Sequence, residues 1–113
     1  PNFFMVIGPG SPSVLSNMVP SIEQHVEWIS DCIAWLRAHG RETIEADPAA
    51  EQEWVAYVNA VADMSVYPHC NSWYLGANVP GKPRVFSPCL GVPQYLQKCE
   101  EVVANGYQGF VVG

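Results

Sequence analysis

Residues 5–18 read MVIGPGSPSVLSNM, and this stretch decides how the chain begins to fold. The continuous apolar run Phe3–Ile7 predicts a buried strand, and the glycines at 8 and 10 end it in a turn. A strand, a glycine turn and a helix start together can bring backbone N–H groups close to a polar or anionic ligand. The pattern is not a dinucleotide fingerprint, because Ser13 stands where the last glycine is required. On local sequence alone, an ordinary strand-to-helix turn is the favoured interpretation.

Outward from this turn, the sequence predicts a first helix from Ser21 to a stop at Gly40. Ser21 and Gln24 have capping-box spacing, and glycine is the usual residue just past a helix end. Residues that recur at steps of three and four predict one apolar face. This face comprises Ile22, Val26, Ile29, Ile33 and Leu36, and it is widened by Trp28, Cys32 and Trp35.

The rest of the chain alternates between connectors and two further helices. Residues 41–47 read as a polar connector, and Asp47-Pro48 predicts the cap and first turn of a second helix that ends near Asp63. Its buried stripe is Trp54, Val58 and Val61. A third helix from Pro93 to Asn105-Gly106 carries Leu96, Cys99 and Val103, and residues 107–112 predict a final strand. The fold class is therefore α+β, mainly helical with short strands.

The composition indicates that a partner surface is missing. Of the 113 residues, 49% are hydrophobic and only 14% are charged, against about a quarter in an average domain. A chain of this length is one domain and buries a modest share of its surface. With Pro1 at the start, we expect a piece of a longer protein; a processed single domain is the alternative.

Charge and cysteine usage exclude several classes of function. The net charge is −6 with five Lys and Arg residues, which argues against nucleic acid or an anionic membrane as partner. No apolar run approaches the roughly 20 residues of a membrane span. Four scattered cysteines without a CxxC pair predict reduced thiols in a cytoplasmic protein. His69-Cys70, His25 and His39 match no zinc spacing, so we expect no metal site and no Cys–His nucleophile.

The segment SWYLGANVPGKPR, residues 72–84, lies in a long loop between the second and third helices. Long ordered loops in compact chains are often functional. Trp73 combines a large packing face with one strong donor, and Lys82 and Arg84 could face phosphate. A surface loop anchored by Trp73 and Tyr74 is the alternative.

Three segments, GPGSPSVLSNM, SIEQHVEWI and SWYLGANVPGKPR, resemble the C-terminal part of Baeyer–Villiger monooxygenases, in particular the phenylacetone and steroid monooxygenase branch. The resemblance extends to NGYQGFVV at the end of the chain. It implies a flavoprotein with two dinucleotide-binding domains that converts ketones to esters or lactones with FAD, NADPH and O2. Residues 1–40 would close the FAD domain, and residues 41–113 would form a helical part with the cofactor-side loop 72–84.

The same resemblance implies roles for individual residues. Asn17 and Met18 would present backbone to the flavin's pyrimidine edge, and Trp73 would hydrogen-bond NADP, with Lys82 nearby. The substrate pocket would include Ser13, Val14, Leu15, Ser16 and Ser87. Cys89-Leu90-Gly91-Val92 departs from the YxGG of the family at this point.

No catalytic residue can be assigned in this chain, because the family's catalytic arginine lies upstream. The partners implied are a ketone and the rest of the FAD and NADP domains, and the chain alone is expected to be inactive. The alternative is a small helical interaction module without chemistry, in which Trp73 and the glycine turn are structural.

Overall fold

The computed structural model describes residues 1–12, 15–81 and 91–113 of the chain. Within these ranges, three helices and a two-stranded sheet surround two small apolar clusters. The elements are α1 (Met18–Ala38), β1 (Ile44–Ala46), α2 (Pro48–Asp63), two 3-10 turns (Tyr67–His69 and Trp73–Leu75), α3 (Val92–Ala104) and β2 (Phe110–Val112). None of the helices in the described part is long and apolar enough to cross a membrane.

The sheet joins distant parts of the sequence. β1 pairs antiparallel with β2, with Ile44 opposite Val112 and Ala46 opposite Phe110. The expectation of a plain polar connector over residues 41–47 is therefore wrong, because it contains a strand whose partner lies more than 60 residues further on. The final strand is shorter than predicted. Tyr107 precedes it with φ +62° and accepts a hydrogen bond from Phe110 N–H in a turn.

The strand predicted over residues 3–7 does not form. Phe3 is 81% exposed, and the chain bends at Ile7, where φ is +54°. The chain start does contact the sheet at Asn2, whose N–H donates to Ile44 O and whose Oδ1 accepts from Ile44 N–H. A strand needs a neighbouring segment that pairs with its backbone. The described part of the chain supplies no such segment for residues 3–7.

α1 begins three residues earlier than predicted. Asn17 is its N-cap, and the Asn17 side-chain Oδ1 accepts a hydrogen bond from Val19 N–H at 3.1 Å. Ser21 lies buried inside the helix instead of capping it. Pro20 is tolerated because N–H groups in the first turn have no partner within the helix. At the other end the prediction is confirmed, since the helix stops at Ala38 and Gly40 takes φ +62°.

The apolar face of α1 differs from the prediction. The buried positions are Ser21, His25, Cys32 and Leu36, whereas Ile22, Val26 and Ile33 are 38%, 50% and 39% exposed. α1 carries apolar residues on more of its surface than the described part of the chain covers. One apolar side therefore packs inward, and the other is exposed. The acidic positions Glu23, Glu27 and Asp31 are exposed, as expected of a solvated stripe.

Tyr107 is the centre of the first cluster. Its side chain is 1% exposed and lies with Cys32, Leu36 and Ile44. The rings of Trp28 and Trp35 pack on it with centroids 5.3 and 4.9 Å away. Burial and the adjacent Cys32 thiol raise the pKa of Tyr107 to about 12. The cluster therefore ties α1 to the sheet.

α2 has the predicted bounds, but Ala62 is buried beside Val58 where Val61 was predicted, and Val61 is only half-buried. Asp47 caps the helix, with Oδ1 accepting from Ala49 and Ala50 N–H at 2.9 and 3.1 Å. Val58 and Ala62 are buried and form the second cluster with half-buried side chains around them. These neighbours are Trp54, Tyr67, Tyr74 and Leu75. α3 also begins and ends within two residues of its predicted bounds.

Replacing Tyr107 with alanine should lower the free energy of unfolding by about 3 kcal/mol, because it removes a buried aromatic ring from the first cluster. Urea denaturation of the chain measures this. Val111→Ala, at a 58% exposed position of β2, is the matched control and should change stability by less than about 0.5 kcal/mol. Equal losses for the two variants would contradict the central role of Tyr107.

Candidate functional site

The glycine turn is closed by its own hydrogen bonds. Ser11 N–H and Ser11 Oγ both donate to Gly8 O, at 3.2 and 2.6 Å. Gly10 is buried with φ +77°, a conformation that favours glycine. The turn over residues 8–11 is therefore a defined structure.

A side chain from α2 lies directly against this turn. Trp54 Nε1–H donates to Gly10 O at 3.1 Å, across 44 residues of sequence. A Cβ added at Gly10 would lie 2.7 Å from Trp54 Nε1. Glycine is thus required at residue 10 both by its φ angle and by the close approach of an indole from the same chain. This contact accounts for the second glycine of the turn from within the chain.

His25 holds the segment before the turn. Ile7 N–H donates to His25 Nδ1 at 3.0 Å, and the imidazole is 6% exposed. Because Nδ1 accepts a hydrogen bond, the neutral ring carries its proton on Nε2. The Tyr95 ring of α3 packs at 5.5 Å. Burial lowers the pKa of His25, since the charged form loses hydration without a compensating partner.

An open groove of about 1200 Å³ runs beside His25. Three buried polar atoms of α1 have no hydrogen-bond partner among the described residues: Gln24 Oε1, His25 Nε2 and Trp28 Nε1. Native structures seldom leave such atoms unpaired. The groove also carries Cys99, whose pKa is raised by burial, an effect that contacts with the Tyr95 and Gln24 side chains oppose. The α1 side of the groove is thus incomplete in hydrogen bonding.

The residues expected at the flavin and substrate lie around the start of α1. Asn17 is exposed and Met18 is the first helical residue, while Leu15 is 53% exposed and Ser16 is half-buried just before the cap. The structure therefore brings these four together at one helix end. Ser13 and Val14 lie outside the described residues.

Trp73 sits on a short, well-capped turn. Ser72 Oγ accepts from Tyr74 N–H at 3.3 Å, and Gly76, with φ +76°, donates its N–H to Trp73 O. Trp73 is 65% exposed, and its ring lies 4.1 Å from that of Tyr74. The turn thus displays the indole outward while the neighbouring tyrosine packs toward α2. Lys82, Arg84, Ser87 and Cys89 lie outside the described residues.

The described cysteines and acidic residues form no other candidate centre. Cys32, Cys70 and Cys99 are free thiols. Within residues 1–12, 15–81 and 91–113, no three His, Cys, Asp or Glu side chains lie close enough together to hold a metal ion.

Sequence reasoning missed the two side chains that hold the segment 7–10. The sequence predicts Trp54 only as part of an apolar stripe of the second helix, and it predicts no metal-binding role for His25. Both contacts join positions that are 18 or 44 residues apart, so local pattern carries no signal for them. The sequence indicates a glycine turn at residue 10, but it does not indicate that Trp54 contacts this glycine.

Comparison with known proteins places this segment. The chain is 43% identical to an acetone monooxygenase (methyl acetate-forming) of Gordonia sp. (strain TY-5) and 40% identical to a cyclohexanone 1,2-monooxygenase of an Acinetobacter species. These matches cover 99% and 97% of the chain, but 21% and 20% of the relatives. A solved oxidized steroid monooxygenase bound to NADP superposes with a TM-score of 0.88 at 46% identity, covering 98% of this chain and 20% of that one. No protein-family model matches the chain.

These comparisons confirm the resemblance read from the sequence, because the relatives at this level of identity are Baeyer–Villiger monooxygenases. The chain spans about a fifth of the length of the curated relatives it matches. The comparisons do not favour the alternative of a small interaction module without catalytic activity.

The chain should lose stability as the pH falls below about 6.5, because burial lowers the pKa of His25 and the unfolded chain therefore binds a proton at this residue more readily than the folded chain does. Urea denaturation between pH 7.5 and pH 5 measures the slope. His25→Gln should make the slope shallower, and substitution of the exposed His69 by glutamine controls for the loss of a histidine as such. An identical slope in wild type and His25→Gln would exclude this role for His25.

Proposed function

We propose that the chain is the C-terminal segment of a Baeyer–Villiger monooxygenase that converts a ketone to an ester or lactone with FAD, NADPH and O2. The observation that carries the proposal is similarity at 40% identity or more, over nearly the whole chain, to two ketone monooxygenases and to an NADP-bound steroid monooxygenase. Residues 1–40 close the FAD domain in this proposal, and residues 41–113 form the helical part with the cofactor-side loop 72–84.

The start of α1 suits the flavin. Asn17 Oδ1 satisfies only Val19 N–H, and residue 20 is proline. The backbone of Asn17 and Met18 can therefore face the flavin's pyrimidine edge, where negative charge develops on reduction. The positive end of the helix dipole stabilises such charge. The glycine turn, held by Trp54, sets the position of this helix end and does not itself bind a phosphate.

The exposed indole of Trp73 suits NADP. Its Nε1–H is a strong donor, and its ring offers a flat apolar face. Because Tyr74 anchors the turn on α2, Trp73 can contact a cofactor without losing core packing. In the proposed enzyme, Lys82 adds a cation to this side of the site. FAD and NADP together supply the redox chemistry, and this segment supplies binding surface.

The substrate wall in this proposal is formed by the residues before α1. Leu15 and Ser16 adjoin the flavin-facing helix end, and Ser13, Val14 and Ser87 complete the wall. An exposed leucine next to a helix end provides an apolar contact that would suit a ketone. Pocket contacts of this kind discriminate weakly between substrates that differ by one methylene.

The rest of the FAD and NADP domains is the proposed partner of the exposed faces. Phe3, Val19 and Val26 are 81%, 61% and 50% exposed, more than a compact domain needs to leave in water. The unpaired Trp28 Nε1–H and His25 Nε2–H call for acceptors from outside the described residues. The free cysteines agree with a reducing compartment, and we assign the enzyme to the cytoplasm.

The proposal is tested by purifying the longer protein that contains this chain. We expect bound FAD, NADPH oxidation that acetone or cyclohexanone accelerates, and the corresponding ester or lactone as product. The 113-residue chain alone, titrated with FAD, should show no tight stoichiometric binding, because it offers only ring-edge contacts. A longer protein without flavin, or one that oxidises NADPH without forming an oxygenated product, would refute the function.

In the longer enzyme, Trp73→Ala should weaken NADPH binding and slow oxygenation at unchanged FAD content. Since Trp73 is mostly exposed, its loss should change stability by less than about 1 kcal/mol. NADPH affinity, flavin occupancy and melting temperature are measured on the same variant. Unchanged NADPH affinity in a folded, flavin-loaded variant would remove Trp73 from the cofactor site.

A further inference from the structure

We propose that Trp54 is a positioning residue, and that α2 acts as a strut that fixes the glycine turn relative to the Trp73 turn. The inference rests on the proposed function, in which these two turns face the flavin and the nicotinamide cofactor. It goes further because it gives a role to α2, which touches neither cofactor in that proposal. This role is to fix the position of the two turns relative to each other.

The first half of the strut is the contact at Gly10. Trp54 Nε1–H donates to Gly10 O at 3.1 Å, and its indole leaves no room for a side chain at residue 10. Tyr57, one turn on, stacks on the Trp54 ring at 5.2 Å. The indole is thereby supported from its own helix while it holds the turn, so a shift of the turn must displace Trp54.

The second half of the strut is the second apolar cluster. Val58 and Ala62 of α2 are 2% and 0% exposed and pack with Tyr74 and Leu75, which belong to the Trp73 turn. Tyr67 meets Tyr74 edge to face at 5.6 Å. The C-terminal half of α2 is thus the surface on which the Trp73 turn is built.

The two contacts lie on one rigid element. From Trp54 to Ala62 the helix rises roughly 12 Å at 1.5 Å per residue. Close-packed helices transmit displacement because their contacts do not compress. Trp54 also belongs to the second cluster, so its indole contacts the glycine turn at one side and this cluster at the other. We therefore expect a coupling free energy between the two turns, carried by Trp54.

The test uses the longer enzyme and the variant Trp54→Phe, which keeps an aromatic ring but removes the donor to Gly10. We expect FAD content to be retained and NADPH affinity to fall roughly fivefold, the low end of typical coupling between sites. Val55→Ala is the matched control, since it shortens a 38% exposed side chain next to Trp54 on the same helix and should leave NADPH affinity unchanged.

A double-mutant cycle separates positioning from simple destabilisation. If Trp54 acts through the Trp73 turn, the effects of Trp54→Phe and Trp73→Ala on NADPH affinity will not add. Trp54→Phe displaces the Trp73 indole, and this displacement has no effect once Trp73→Ala has removed the indole. Additive effects, or an unchanged NADPH affinity in flavin-loaded Trp54→Phe, would overturn the inference. Loss of flavin together with a lower melting temperature would assign Trp54 a purely structural role and would also overturn it. Ketone turnover by the unmodified enzyme tests the proposed function separately.

Discussion

The buried side chain of Tyr107 is the constraint on which the rest of the described structure depends. Its N–H donates to Val102 O at the end of α3, its ring lies between Trp28 and Trp35 of α1, and its carbonyl accepts from Phe110 N–H at the start of β2. It does this with φ +62°, a conformation that costs a non-glycine residue about 1 kcal/mol or more. Such a backbone persists only where the surroundings over-determine it, and the contacts of the ring provide that determination.

The elements that local sequence predicted are those with local causes. α2 begins where Asp47 caps it and Pro48 fits its first turn, and α1 ends just before the left-handed Gly40. The elements that failed depend on distant partners. β1 exists because residues 110–112 pair with it, whereas residues 3–7 form no strand because no pairing segment for them lies among the described residues. Residue propensity can indicate a strand, but the strand forms only where a second segment pairs with its backbone.

The difference between local and distant contacts also explains which residues of the candidate site could be predicted from the sequence. Asn17, Met18 and Trp73 were named through the resemblance of contiguous segments, and the structure adds that each sits at a well-capped helix or turn end. His25 and Trp54 could not be named, because their partners are backbone atoms far away in sequence. The face of α1 was misjudged for a related reason. Periodicity predicts that Ile22 and Val26 are apolar and aligned, but which side of a doubly apolar helix is covered depends on everything that packs on it.

The pairing of β1 with β2 also bears on how this segment is made in the cell. A ribosome releases residues 44–46 long before residues 107–112, at about 5–20 residues per second. During that interval the nascent chain holds Ile44, Cys32 and the two tryptophans of α1 without the tyrosine that covers them. The two helices then available expose apolar surface of the kind that chaperones recognise. Closure of the first cluster therefore waits until residues 107–112 have left the ribosome, well after the synthesis of α1 and β1.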